Sequence, residues 1–113
     1  MNWIPLTKVE ELEVIDKESF SRPVVIFKHS TTCSISHMAK GRLDRSKAPA
    51  NISFYYLDLK QYRSVSNAVA SHYDVAHESP QVILVANGKC VYDESHNGIT
   101  MDEIEEQAMQ VNF

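Results

Sequence analysis

The chain has 113 residues, the size of one ordinary domain. Hydrophobic residues make up 43% of it and charged residues 23%, which is typical of a globular protein that buries its own core. The formal net charge is −4, and the 11 lysines and arginines are scattered along the chain. Nucleic-acid binding requires a concentrated basic face. We therefore expect a single domain over residues 1–113 with no nucleic-acid partner.

The two cysteines, Cys33 and Cys90, are too few for the disulfide framework of a small secreted domain. The first residues show neither a basic segment nor a long apolar stretch, so we expect no signal peptide. The longest apolar runs, such as residues 82–86, are far too short to span a membrane. These features predict a cytoplasmic protein with no membrane partner, whose thiols are reactive or buried rather than bridged.

The first half of the chain alternates between strand and helix signals. A short apolar piece at residues 3–6 precedes Thr7 and Glu10, which have capping-box spacing before a helical rhythm of apolar residues. Residues 24–27 are continuously apolar and mostly β-branched, as expected of a strand buried on both faces of a parallel sheet. The hydroxyls of residues 30–32 can cap a second helix, which we expect to start at about Cys33.

The second half repeats this alternation and then adds a hairpin. Residues 52–59 predict a buried strand, residues 64–73 a helix and residues 81–86 a third strong strand. Asn87 and Gly88 predict a tight type I′ turn into a last strand. A final helix starts near residue 100, where Thr100 and Glu103 again have capping-box spacing.

The predicted order is therefore β-α-β-α-β-α-β-β-α. Parallel crossovers followed by one antiparallel hairpin describe an α/β architecture with a central mixed sheet flanked by helices. The thioredoxin fold has this order, so we predict a thioredoxin-like fold.

Cys33 lies where a buried strand gives way to the first turn of a helix. Free N–H groups and the helix dipole favour an anion at a helix N-terminus, where thiol pKa values fall from ~8.5 to ~3.5–7.5. The thiolate is the nucleophile of thiol–disulfide exchange, so this position predicts a reactive cysteine. Ser36 occupies the place of the second cysteine in a C-x-x-C pair, and its hydroxyl can reach the sulfur but cannot form a disulfide. The alternative is a buried, inert cysteine.

Pro80 is the second signal, because it lies directly before the third strong strand. In thioredoxin-like proteins a cis-proline at this place faces the cysteine, and the backbone of the preceding residue pairs with the bound partner. We therefore predict a cis peptide bond between Ser79 and Pro80. The alternative is an ordinary trans proline at a strand start.

Residues 27–36 (F-K-H-S-T-T-C-S-I-S), 77–81 (H-E-S-P-Q) and 95–96 (S-H) resemble the monothiol bacilliredoxin C type. These are small thioredoxin-like proteins of Gram-positive bacteria that use the thiol bacillithiol. The resemblance covers nearly the whole chain. It implies a thiol–disulfide oxidoreductase in which Cys33 attacks a protein–bacillithiol mixed disulfide, frees the protein thiol and keeps the bacillithiol. Bacillithiol and its disulfide reductase system would then regenerate the cysteine.

The resemblance also implies the partners and the site. The substrates would be S-bacillithiolated proteins, with bacillithiol as thiol co-substrate and no tightly bound cofactor. The residues expected to support Cys33 are Lys28, His29, Thr32, Ser34 and Ser36, and those expected to bind substrate are Ser79, Pro80 and His96. Ser34 replaces the proline of the family's usual T-C-P-I-S motif. Serine keeps a backbone N–H and relaxes φ there, but it leaves the nucleophile in place.

Other interpretations stay open. His29, Cys33 and His37 have a spacing that metal ligands can take, but zinc normally needs three or four ligands and no second cluster follows. We expect both histidines to face solvent and predict no metal site. An iron–sulfur carrier of the monothiol glutaredoxin kind would carry C-G-F-S, which this chain does not. A non-catalytic thioredoxin-like binding module would bury Cys33, and thiolate-selective alkylation distinguishes that case.

Cys90 is the only other thiol that could resolve a mixed disulfide on Cys33. The strand at residues 81–86 carries the chain away from Pro80 at ~3.3 Å per residue, so the turn that follows lies roughly 20–25 Å away. A disulfide needs Cα atoms within about 7 Å. We therefore predict that Cys33 and Cys90 cannot pair within one molecule.

Overall fold

In a computed structural model that describes residues 1–113, the chain builds one mixed sheet with helices on both of its faces. The strands are β1 (Trp3–Pro5), β2 (Val24–His29), β3 (Ser53–Asp58), β4 (Gln81–Ala86) and β5 (Lys89–Ser95). The helices are α1 (Glu11–Glu18), α2 (Ser34–Arg45), α3 (Arg63–His72) and α4 (Met101–Met109), and a one-turn 3₁₀ helix at His96–Gly98 precedes α4. The predicted order of elements is confirmed.

The strands lie in the order β1-β3-β2-β4-β5. β1 and β2 both run parallel to β3, whereas β4 runs antiparallel to β2 and β5 antiparallel to β4. Every residue of β2 and of β4 is buried. Their position at the centre of the sheet explains why both strands are continuous apolar runs in the sequence.

The side chains of β2 alternate between two hydrophobic clusters, one on each face of the sheet. Val24 and Ile26 belong to the cluster under α1 and α3. Val25 and Phe27 belong to the cluster under α2 and α4. The alternation continues through Lys28 and His29, the last two residues of β2. Their buried side chains therefore lie on opposite faces of the sheet.

The helix N-termini differ from two of the sequence expectations. α1 begins at Glu11, and the Glu11 carboxylate accepts hydrogen bonds from the backbone N–H groups of Thr7 at 3.0 Å and Lys8 at 2.9 Å. The carboxylate that reaches back is therefore one residue later than the predicted Glu10. Cys33 is the N-cap residue of α2 and no side chain caps that helix, so the expectation that a hydroxyl of residues 30–32 does so is wrong.

The last helix and the hairpin follow their sequence signals. The Thr100 hydroxyl accepts a hydrogen bond from the Glu103 N–H at 3.3 Å, which confirms the predicted cap of α4. Asn87 and Gly88 have φ values of 54° and 76°, and Ala86 pairs with Lys89 across the turn. Positive φ at both central residues is what a type I′ turn requires.

None of the four helices combines the length and the apolar composition needed to cross a lipid bilayer.

We expect Thr100→Ala to lower the free energy of unfolding by about 1 kcal/mol, because it removes the only side-chain cap of α4. Thr100→Ser is the matched control, since its hydroxyl can still accept from the Glu103 N–H. Urea denaturation followed by circular dichroism measures both variants. Equal stability of the alanine and serine variants would show that this cap contributes nothing.

Candidate active site

Cys33 stands at the junction of β2 and α2. Its backbone is extended, with φ −107° and ψ 121°, and its carbonyl accepts a hydrogen bond from the His37 N–H at 3.1 Å, within the first turn of the helix. The residue is half-buried and its thiol is free. The sulfur therefore belongs to a residue at the positive end of a twelve-residue helix, where backbone N–H groups lack helical partners.

Three chain segments come together at the end of the sheet near Cys33, where β2 and β5 finish and β4 begins. The antiparallel register pairs Lys28 of β2 with Gln81 of β4, and Gln81 with Ser95 of β5. The chain therefore leaves β2, enters β4 and leaves β5 at the same end of the sheet, which we call the rim. It carries Cys33 in the loop after β2, Pro80 directly before β4 and His96 directly after β5. The His96 N–H donates to the Pro80 carbonyl at 3.1 Å.

The peptide bond between Ser79 and Pro80 is cis. Pro80 is buried and Ser79 is half-buried, and the Ser79 hydroxyl oxygen is inaccessible and has no hydrogen-bond partner. His96 is exposed and has a φ of 57°, in the left-handed region. Two of the predicted substrate-binding residues, Pro80 and His96, thus share a backbone hydrogen bond, and the third, Ser79, directly precedes Pro80.

His29 and Ser36 form a buried polar pair behind the cysteine. The Ser36 hydroxyl oxygen lies 2.7 Å from His29 Nδ1 and accepts from the Ser30 N–H at 3.0 Å. It joins the end of β2 to the first turn of α2. The hydrogen bonds of Ser36 in the structure go to these two residues, so donation to the Cys33 sulfur stays a prediction.

The expectation that His29 faces solvent is wrong, because its side chain is only 1% exposed. It follows Phe27 on the same face of β2, and the two rings stack with centroids 5.8 Å apart. Burial, reinforced by the nearby His37 and Lys40, lowers the pKa of His29 and so favours the neutral imidazole.

Lys28 lies on the opposite face of the sheet from His29. Its side chain is fully buried, and Nζ donates to the Ser66 carbonyl of α3 at 3.2 Å and lies 3.2 Å from His77 Nδ1. Burial lowers the pKa of Lys28 to about 8. His77 is two residues before Ser79, so the lysine holds the segment that leads into Pro80 rather than contacting the cysteine helix.

Gln81 anchors the same segment from inside the sheet. Its side-chain amide donates to the Ala76 carbonyl at 3.0 Å, and its side-chain oxygen accepts from the Glu78 N–H at 3.3 Å. Sequence reasoning missed both Gln81 and His77 as parts of the site. The signal for Gln81 is one polar residue at the start of a strand that is otherwise wholly apolar.

The remaining predicted residues flank the cysteine. Ser34 is exposed and is the first residue of α2, a position that favours proline because its N–H has no helical partner. Serine therefore presents one more backbone N–H beside Cys33. The Thr32 hydroxyl accepts from Lys60 Nζ at 2.9 Å. Lys60 follows β3, and only the parallel pairing of β3 with β2 brings it to the rim.

The histidines near Cys33 are engaged with protein groups. His37 Nε2 lies 2.7 Å from the Thr31 carbonyl oxygen, and its ring meets that of His29 edge to face with centroids 4.8 Å apart. No group of three or more His, Cys, Asp or Glu side chains is arranged to hold a metal ion.

Cys90 lies near the start of β5, at the opposite end of the sheet from the rim. It pairs with Val85, which pairs with Val24 at the start of β2, whereas Cys33 follows the end of β2. The length of β2 alone separates the two ends of the sheet by roughly 16–20 Å. Both thiols are free. Burial raises the pKa of the Cys90 thiol, and its side chain packs against the cluster under α1 and α3. The register thus agrees with the prediction that the two cysteines cannot pair.

The fold and the rim define a thioredoxin-like protein, and known structures bear this out. The chain is similar to a proposed oxidoreductase with a thioredoxin fold, at 30% identity over 92% of this chain and 91% of that chain, with a TM-score of 0.81. The thioredoxin of Fasciola hepatica is 18% identical, covering 96% of this chain and 98% of that one, with a TM-score of 0.71. Mitochondrial thioredoxin 3 of Saccharomyces cerevisiae is 17% identical, covering 96% and 95%, with a TM-score of 0.72.

The family is narrower than the fold. Residues 4–104 match the model of the monothiol bacilliredoxin BrxC family, and the chain belongs to that family. The predicted resemblance and the predicted thioredoxin-like fold are confirmed. Family and fold together support a thiol redox function.

We expect Ser36→Cys to form an internal disulfide with Cys33 under mild oxidation, because positions three apart in a first helical turn are neighbours. Ser34→Cys, at the exposed adjacent position, is the control and should form mainly intermolecular disulfides. Intact mass and non-reducing electrophoresis measure both. Purely intermolecular products from Ser36→Cys would show that the geometry of this turn has been misjudged.

Lys28 makes stability depend on pH in a defined direction. The folded protein binds fewer protons than the unfolded chain between pH ~8 and the ordinary lysine pKa of ~10.4, so this residue makes stability rise with pH in that window. We expect Lys28→Met to lose this rise between about pH 8 and 9.5, while Lys60→Met, which removes an exposed lysine, keeps it. Urea denaturation across this range measures both, and identical pH slopes in wild type and Lys28→Met would contradict the assignment.

Proposed function

We propose that this protein removes bacillithiol from S-bacillithiolated proteins and that Cys33 is its sole nucleophile. The observation that carries the proposal is the placement of a free thiol at a helix N-terminus, at the end of the sheet that also carries Pro80 and His96. Membership in the monothiol bacilliredoxin family supports the choice of bacillithiol. The protein has Ser36 at the position of a second active-site cysteine, and its other thiol, Cys90, lies at the opposite end of the sheet.

In the proposed reaction the Cys33 thiolate attacks the bacillithiol sulfur of the mixed disulfide. A new sulfur–sulfur bond forms between Cys33 and bacillithiol, and the old bond breaks. The bonding electron pair leaves with the substrate protein's sulfur, which departs as a thiolate and takes a proton from water. A second bacillithiol thiolate then attacks the mixed disulfide on the enzyme, releasing bacillithiol disulfide and restoring the Cys33 thiolate. The bacillithiol disulfide goes to its own reductase.

The residues around Cys33 would share the work in this scheme. The N-terminus of α2 favours the thiolate, and Thr32 and Ser34 flank Cys33 on either side in the chain. The backbone of Ser79 and Pro80 docks the substrate, and His96 contacts the bacillithiol portion.

Lys28 and His29 would act one step further from the sulfur. Lys28 holds the segment before Pro80 through His77, and His29 holds the first turn of α2 through Ser36. Neither role calls for a tightly bound cofactor. A pathway that depends on free thiols and a thiol co-substrate fits the reducing cytoplasm.

The decisive experiment incubates a purified S-bacillithiolated protein with wild type, Cys33→Ala and Cys90→Ala, with bacillithiol present. Wild type and Cys90→Ala should release the bacillithiol from the substrate, whereas Cys33→Ala should not exceed the rate without enzyme. Omitting free bacillithiol should trap wild type with one bacillithiol on Cys33, as seen by intact mass. Equal release by wild type and Cys33→Ala would refute the proposal.

Alkylation separates this proposal from a non-catalytic binding module. Cys33 should react with iodoacetamide at mildly acidic pH in the folded protein, and the half-buried Cys90 should react slowly. A Cys33 that stays unmodified under these conditions would favour the binding module.

A further inference from the structure

The 3₁₀ helix at His96–Gly98 lies between the cysteine helix and Pro80. It is a single three-residue turn that connects β5 to α4. His96 at its start holds a φ of 57°, which residues other than glycine seldom adopt. Such a backbone conformation persists where neighbouring groups fix it.

Arg42 of α2 fixes both ends of this turn. Its Nε donates to the Ile99 carbonyl at 3.0 Å, and its Nη2 donates to the His96 carbonyl at 3.0 Å. These two nitrogens form one edge of the guanidinium, so a single rigid fork binds both carbonyls. The Ile99 N–H closes the turn onto the same His96 carbonyl at 3.4 Å. A lysine has no such fork and offers only one point of attachment.

The hydrogen bonds of Arg42 continue to the cis-proline. The His96 N–H donates to the Pro80 carbonyl at 3.1 Å, while its carbonyl accepts from Arg42. One chain of bonds therefore runs from α2 through Arg42 and His96 to Pro80, and α2 is the helix whose N-cap is Cys33. We propose that Arg42 is a positioning residue for thiol–disulfide exchange, because it fixes His96 and Pro80 relative to Cys33. This inference rests on the proposed use of that rim.

A direct effect of the arginine charge on the sulfur is a weaker explanation. Arg42 is nine residues beyond Cys33, which at ~1.5 Å per residue is about 13 Å along the helix axis. Exposed charges separated by more than a Debye length, ~8 Å at physiological ionic strength, are largely screened. Arg45, one turn further along α2, carries the same charge on an exposed side chain and has no hydrogen bond to the turn. It provides the matched control.

The test compares Arg42→Met with Arg45→Met in three measurements. These are the rate of bacillithiol release from an S-bacillithiolated protein, the rate of Cys33 alkylation by iodoacetamide, and the hydrogen exchange of the His96 amide. Arg42→Met should slow release about tenfold, because small misplacements of docking groups cost this much or more. It should leave alkylation unchanged and speed exchange at His96. Arg45→Met should match wild type throughout.

Arg42→Lys keeps the charge and separates it from the fork. We expect its release rate to lie between those of wild type and Arg42→Met, with alkylation unchanged. If Arg42→Met does not fold, a reduced release rate in Arg42→Lys with normal alkylation carries the same conclusion, and a wild-type release rate in Arg42→Lys refutes it.

Two results would overturn the inference. One is an Arg42→Met variant with the release rate and His96 exchange of Arg45→Met. The other is an alkylation rate that falls in parallel with release, since this would make Arg42 an electrostatic partner of the thiolate. Failure of the proposed function looks different: wild type itself then releases no bacillithiol, and His96 exchange in Arg42→Met still decides whether the arginine holds the turn.

Discussion

The antiparallel pairing of β4 with β2 decides which residues meet at the rim. It aligns Lys28 with Gln81, so the loop that leads from β2 to Cys33 and the segment that leads through Pro80 into β4 lie at the same end of the sheet, although more than forty positions separate Cys33 from Pro80 in the sequence. Both strands are wholly buried, and a shift by one residue would turn every side chain of a strand to the other face. Apolar packing far from the sulfur thereby fixes the geometry at the sulfur.

Polar burial in this molecule is concentrated at the rim. Of the six buried polar or charged residues, five lie on β2, β4, α2 or α3 near the end of the sheet that carries Cys33: Lys28, His29, Ser36, Ser66 and Gln81. Burying such groups is costly unless they are hydrogen-bonded, so an ordinary core would not collect them. Here four of the side chains are bonded, and they hold the segments that lead to Cys33 and Pro80. At the other end of β2 and β4 the strand residues are all apolar.

Features that depend on neighbouring residues in the chain could be predicted from the sequence, whereas contacts between residues far apart in the chain could not. Strands and turns were predictable because their signals are local: the apolar run that begins at Val24, the Asn87–Gly88 turn, and a cysteine at a strand-to-helix junction. His29 was misplaced although the strand period contained the answer, since it stands two residues after Phe27 and shares its face.

Other contacts have no local signal. Lys28 meets His77 across 49 positions, and Arg42 meets His96 across 54. Both depend on which loops the sheet brings together, which no spacing in the sequence reveals. Even the cap of α1 turned on whether Glu10 or Glu11 points back along the chain, a choice made by side-chain direction rather than residue type.

The two outer strands have a consequence for how this protein meets others. β1 is only three residues long and ends in Pro5, and β5 exposes the charged residues Lys89 and Asp93 on either side of an exposed Val91 along the opposite margin. Short, proline-containing or charged margins resist the addition of a foreign strand. In the proposed exchange a partner protein is held by one covalent bond at the rim, and margins of this kind offer it little backbone pairing that would outlast that bond.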